Sequence, residues 1–280
     1  MSFYVDIVTE DSFYENLTLG VVKILESLAY IKNVRIDRRN GCESTTITNW
    51  EQRHCCVLPE DVKNFYVSID GFLLQWNLEI AGEEFPIGRM EIGSFSSLKR
   101  YTNNTGKREE SSSSISVDSD KLEAEAISDN TSDVDSILVL LQGNGAHNCK
   151  MFEIAQCFPE SSKAKVYLVY RMKQEQEAPS VWLHREEANR WYHLADSFTV
   201  YFRMMLVHLG LPLWQSCVSG VSLPTWVEQV YFLVAPHLLP SVVEPTETIS
   251  TSIWNMGPTN VIDPTIFKAK EGKQKCSRKK

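Results

Sequence analysis

The sequence predicts an α+β fold, a single domain in which one antiparallel sheet is flanked by N- and C-terminal helices. Three observations predict it. Helical periodicity occupies both ends of the ordered part, and two-residue periodicity occupies its middle. Turn-forming Gly, Pro, Asn and Ser clusters separate the strand-like runs, as hairpins require. Helices and strands are segregated rather than alternating, which argues against a parallel βαβ sheet.

The first helix is predicted over 12–31. Ser12 and Glu15 have capping-box spacing, and Phe13, Leu17, Val21, Ile24, Leu25 and Leu28 form one apolar stripe. The run Leu58 to Tyr66 predicts a second helix. Pro59 suits its first position, Glu60 and Asp61 favour the positive end of its dipole, and Val62, Phe65, Tyr66 and Ile69 share a face. Asp70-Gly71 ends it, with Gly71 free to adopt a left-handed conformation.

After Gly71 the period becomes two. Phe72, Leu74, Trp76, Leu78 and Ile80 alternate with more polar residues, so 72–80 reads as a half-buried strand. A turn at 81–84 precedes a second strand over 88–94, with Met90 and Ile92 on one side. Further strands are expected at 136–142, 165–171 and 180–184, with a weaker one at 150–157. A closing helix is read from Leu194, Ala195, Phe198, Phe202, Met205 and Leu209, ending at Gly210. A shorter helix opens at Pro224 and stops at Pro236, with Trp226, Val230, Leu233 and Val234 inward.

Charge separates two segments from the domain. The chain has 280 residues and a formal net charge of −8. Residues 102–136 hold nine acids, three bases and nine serines, which predicts a disordered insertion. Within it Ser132, followed by Asp133 and Asp135, is a candidate phosphorylation site for an acidophilic kinase. Residues 241–280 read as a tail, first Pro-containing and then basic. Lys268, Lys270, Lys273, Lys275, Arg278, Lys279 and Lys280 face Glu271 alone. The domain proper, 1–240 with its interruption, is therefore itself acidic, which disfavours nucleic acid as a partner. The tail could hold an acidic polypeptide, although a solvated or nuclear-localisation tail is the simpler reading.

Few features suggest chemistry. The seven cysteines include no Cys-x-x-Cys pair, which fits a reduced compartment and disfavours a zinc ribbon. The start MSFYVDIVTED lacks a basic n-region and is not read as a signal peptide. No run of 18 apolar residues predicts a membrane span. Gly143-Asn144-Gly145 lacks the Lys-Ser/Thr of a phosphate loop and reads as a turn. His184 and His193 match no usual metal-ligand spacing, and no catalytic residue, cofactor or metal is expected. Adjacent Cys55 and Cys56 read as small apolar filler. Trp50, Trp76, Trp182 and Trp191 are expected in the core. Trp214 and Trp226 flank the stretch 215–225, where an exposed aromatic pair would anchor a partner; core packing is the competing reading.

The string Leu58-Pro59-x-x-Val62-x-x-Phe65-Tyr66, followed by Asp70-Gly71-Phe72, resembles the signature of the SUKH superfamily, found in yeast cell-wall-synthesis regulators and bacterial toxin-immunity proteins. Longer stretches at 50–72, 85–95 and 191–215 resemble a family of tubulin polyglutamylase complex subunits. The resemblance implies a SUKH-like domain with no catalytic residues to carry over. It implies a scaffolding, targeting or regulatory role beside a tubulin-tyrosine-ligase-like catalytic subunit, which would supply the ATP and magnesium chemistry. It also implies contact with other complex subunits and with tubulin or microtubules, and a cytoplasmic location on microtubules, centrosomal material and cilium-associated structures. A general adaptor or immunity-like inhibitor unrelated to tubulin is the alternative.

Overall fold

The computed structural model describes residues 10–101, 149–171 and 178–239, with Val134, Ile137, Leu138 and Leu141 between them. The insertion's Ser132 and the whole of the tail lie outside the described residues. The architecture is α+β with antiparallel pairing throughout, but the strands form two sheets rather than one.

Two helices stand where one was expected. α1 (Glu10–Thr18) and α2 (Val21–Ser27) are separated by Leu19 and Gly20, both with positive φ. Successive left-handed residues cannot continue a right-handed helix. The chain then enters β1 (Ile31–Ile36), a strand too short and mixed in pattern to stand out in the sequence. α3 (Ser44–His54), also unforeseen, buries only Ile47 and Trp50. α4 (Glu60–Ser68) follows as expected, with Pro59 just outside it as the N-cap, and Gly71 has φ +82°.

The first sheet has the order β1-β2-β3, completed by β2 (Phe72–Ile80) and β3 (Glu83–Ile92). Ala81 and Gly82 both take positive φ, the geometry of a tight two-residue hairpin turn. That is why β3 begins five residues before the expected 88. Register sets Trp76 opposite Gly88. The missing side chain matters there, because a Cβ on Gly88 would lie 1.8 Å from the Trp76 indole nitrogen.

The second sheet has the order β4-β5-β6-β7: β4 (Cys149–Gln156), β5 (Ala164–Arg171), β6 (Ser180–Arg185) and β7 (Arg190–Ala195). Leu194 and Ala195, read as the start of the closing helix, end β7 instead. Their apolar spacing fits either element, and pairing with β6 decides it. The segment after β3 joins the sheets. Gly93 N donates to Ile154 O at 2.8 Å, Glu153 N to Lys99 O at 3.0 Å, and Tyr101 N to Met151 O at 2.9 Å.

The main core lies between these sheets and the helices. Phe65 packs on Phe198 at 5.0 Å between ring centroids, and Phe72 on Phe202 at 5.2 Å. Each such side chain, fully buried, contributes about 1.5–3 kcal/mol. The second sheet is buried on its other face too. Met151, Tyr167, Val169, Trp182 and Trp191 form a separate cluster with Ile137 and Leu141. Val134, Ile137, Leu138 and Leu141 have helical backbone, so the strand expected over 136–142 is corrected at its described positions. Their spacing is i, i+3, i+4, i+7, a helix's period hidden inside an apolar run.

Three helices end the described chain: α5 (Phe198–Val207), α6 (Trp214–Val218) and α7 (Thr225–Val234). Ser197 caps α5, its Oγ accepting from Val200 N. The turn after α5 docks on the first sheet, where Trp76 Nε1 donates to Leu209 O at 2.9 Å and Arg89 N to Gly210 O at 2.8 Å.

Candidate partner-binding surface

α7 begins where Pro224 ends the preceding loop, and it stops at Ala235, before Pro236. Seven of its ten residues are apolar or aromatic, the others being Thr225, Glu228 and Gln229, and it has no basic residue. Val227, Val230 and Tyr231 point inward. Trp226, Phe232 and Leu233 point outward and are 46%, 65% and 63% exposed. A helix normally turns its charged face to water, so exposed Trp, Phe and Leu together are the signature of an unfilled contact.

This phase differs from the sequence expectation, which placed Trp226 and Leu233 inward. The helix is apolar on nearly every side, so periodicity supports either phase. Packing against the core selects Val227, Val230 and Tyr231. Of the two tryptophans proposed as a surface pair, Trp226 is exposed and Trp214 is not. Trp214 is 2% exposed, stacks on His208 with centroids 5.5 Å apart, and lies 5.3 Å from the Tyr201 ring. Positions 215–218 are helical rather than loop. Phe232 was missed because nothing in a uniformly apolar helix distinguishes it.

A second feature lies where α4 and α5 begin. A groove of about 360 Å³ is lined by Pro59, Ala178, Pro179, Phe198 and Val200, with Glu60 and Asp196 among its acids. Asp61 ties the two helices together and is only 9% exposed. Its Oδ2 accepts from Thr199 N at 2.9 Å and from Thr199 Oγ1 at 2.8 Å, and its Oδ1 accepts from Val62 N at 2.9 Å. These bonds use the carboxylate structurally.

His184, His193, His208, Cys42 and Cys56 are likewise packed rather than poised, whereas Cys55, expected to be apolar filler, is exposed. His184 stacks on Trp191 at 4.2 Å, and its Nε2 is 3.1 Å from Asn189 Oδ1. His193 lies against Trp182 at 5.2 Å, and His208 Nδ1 is 2.8 Å from Met204 O. Burial holds all three below the ordinary imidazole pKa. Burial first, then a hydrogen bond to Asp70, pushes the Cys42 thiol up to about 12, the opposite of an activated nucleophile. Burial also raises Cys56. Among the described residues, no group of three or more His, Cys, Asp or Glu is placed to hold a metal ion. No described helix is long and apolar enough to cross a membrane.

The exposed apolar face of α7 is thus a candidate contact surface. Over 271 residues the chain is 30% identical to tubulin polyglutamylase complex subunit 2 from Rattus norvegicus, covering 91% of this chain and 81% of the rat protein. The chain belongs to the tubulin polyglutamylase complex subunit 2 family. The Homo sapiens member is 30% identical over 260 residues, covering 91% of this chain and 79% of the human one. The Mus musculus member is 29% identical over 259 residues. No family profile and no solved structure matches, so the SUKH likeness rests on the motif around Leu58–Tyr66. Family membership gives the outward face of α7 a context, since the relatives are named as subunits of a complex.

Proposed function

We propose that this chain is a non-catalytic subunit of a tubulin polyglutamylase complex and that it joins the complex through the outer face of α7. The observation that carries this reading is the exposed Trp226, Phe232 and Leu233 on a helix without basic residues, in a chain of the subunit 2 family. Buried aromatic anchors dominate binding energy at protein interfaces. In this reading a tubulin-tyrosine-ligase-like partner performs the ATP- and magnesium-dependent glutamate ligation, on microtubules in the cytoplasm. The chain scaffolds or targets that partner.

Co-expression of the tagged full chain with the other complex subunits tests the reading. The wild type should recover the ligase-like subunit. The triple variant W226S/F232S/L233S should keep its melting temperature and lose that subunit. Recovery unchanged by the triple variant sinks the α7 assignment. Glutamate incorporation into tubulin by the isolated chain sinks the non-catalytic role.

The tail enters as a separate part of the proposal. Tubulin tails are acidic and the domain is acidic, so the bases from Lys268 to Lys280 are the part of the sequence with the right sign. Microtubule co-sedimentation with and without 268–280, over a salt series, should show salt-sensitive pelleting that the truncation abolishes.

A further inference from the structure

α5 buries Phe198, Thr199, Tyr201, Phe202, Met205 and Leu206. Its other side carries Val200, Arg203, Met204 and Val207, spaced i, i+3, i+4, i+7 and therefore one continuous stripe. Val200 also lines the groove between α4 and α5, so stripe and groove are continuous. Val207, at the far end, is 60% exposed.

Arg203 is the anomaly in this stripe. It is half-buried, and its Nη1 is shut off from solvent with no hydrogen-bond partner. Several other cations of the described chain answer acids, among them Arg38 with Asp11, Arg39 with Asp37, Arg89 with Glu91 and Lys63 with Glu51. Among the described residues Arg203 has no such acid, and burial alone holds its pKa below the ordinary guanidinium value. A guanidinium carries five N–H donors in a rigid fork matched to a carboxylate. Its desolvation without an acceptor is unfavourable in the isolated chain. Nη1 is covered by the chain itself, so an acceptor brought by a partner would meet the open edge of the guanidinium and answer its charge there. The groove end of the stripe has the opposite sign, with Glu60 and Asp196 exposed beside it.

We infer that the α5 stripe is a second docking surface, separate from the face of α7, for a segment of another complex subunit that sets a carboxylate on Arg203 and apolar side chains on Val200, Met204 and Val207. Charge complementarity argues for this occupant. The surface has an unanswered cation set among apolar side chains and acids at one end. The matching segment has an acid among apolar residues and a base toward the groove. The inference rests on the reading of the chain as a complex subunit.

Three measurements on the full chain test it. In isolation, R203M should melt at or above the wild-type temperature, because it removes an unpaired buried donor. A clear fall would show that Arg203 is answered within the chain and would overturn the inference. In the co-expressed complex, R203M should weaken association by about tenfold, the order of one charge-assisted hydrogen bond, and R203E by more. R203K should fall between wild type and R203M. Wild-type association by R203M and R203E overturns the stripe while leaving α7 and the complex standing. Failure of the wild-type chain to recover any subunit overturns both. Third, a photo-cross-linker installed at Val207 should capture a peptide of another subunit with Asp or Glu within one helical turn of the cross-link. Capture of a second copy, of residues 240–280, or of a segment without an acid overturns the inference.

Discussion

Replacement of Asp61 by alanine should destabilise the fold more than any other single carboxylate change on these helices. The carboxylate receives two hydrogen bonds from Thr199 on a different helix, at 2.8 and 2.9 Å, and is 9% exposed. Hydrogen bonds to a buried charged group contribute about 1.5–3 kcal/mol each. The loss in Asp61→Ala is then about 3–5 kcal/mol, a large share of the roughly 5–15 kcal/mol typical of a domain. With a urea m-value of about 2 kcal/mol/M, the unfolding midpoint should fall by about 1.5–2.5 M. Asp61→Asn keeps one acceptor for Thr199 but turns a donor toward Val62 N, so an intermediate loss is expected. Thr199→Val removes the hydroxyl bond alone and should cost about 1.5–3 kcal/mol. A double-mutant cycle between the two positions should return a coupling of about 1–2 kcal/mol. A loss below about 1 kcal/mol for Asp61→Ala, or additive single changes, would refute the interhelical clamp. Because the clamp sets α4 against α5, the same variant should also disturb the groove beside Val200.

Gly88→Ala should lower stability by about 1–3 kcal/mol or more, since its Cβ meets the Trp76 indole at 1.8 Å, and Trp76→Phe should recover part of the loss in thermal melts. Acidification should destabilise the protein. His184, His193 and His208 have folded pKa values held down by burial, so as pH falls through about 6.5 the unfolded chain takes up protons first. Their contribution is present above that pH and lost below it, and a melting temperature that stays level from pH 7.5 to 5 would contradict the assignment. Ile137→Asp with Leu141→Asp should unseat the helical segment from the second sheet, exposing Trp182 and Trp191 to water. A red-shifted tryptophan emission with the main unfolding transition retained is the expected result, and an unshifted spectrum would show that the segment is not what buries them.

The fold class was legible where local signals agree. Leu58 to Gly71 combines a proline before the helix, first-turn acids, an apolar stripe and a positive-φ glycine, and α4 formed there. The alternation from Phe72 to Ile80 marked β2, and the turns around it implied antiparallel pairing. The proposed partner surface was legible only in part, through Trp226.

What the sequence determined by itself is local pattern and charge: α+β class, antiparallel pairing, an acidic stretch over 102–136, a basic stretch over 268–280, and a family motif. What only tertiary structure decided is phase and partition. An apolar run such as 226–234 buries whichever side meets the core, so Trp226 and Leu233 face water while Val227 and Tyr231 do not. Leu194 and Ala195 became strand because β6 offered hydrogen bonds. Arg203 looks ordinary in the sequence, because an uncompensated charge is defined by what does not surround it, and only the packed chain specifies its surroundings.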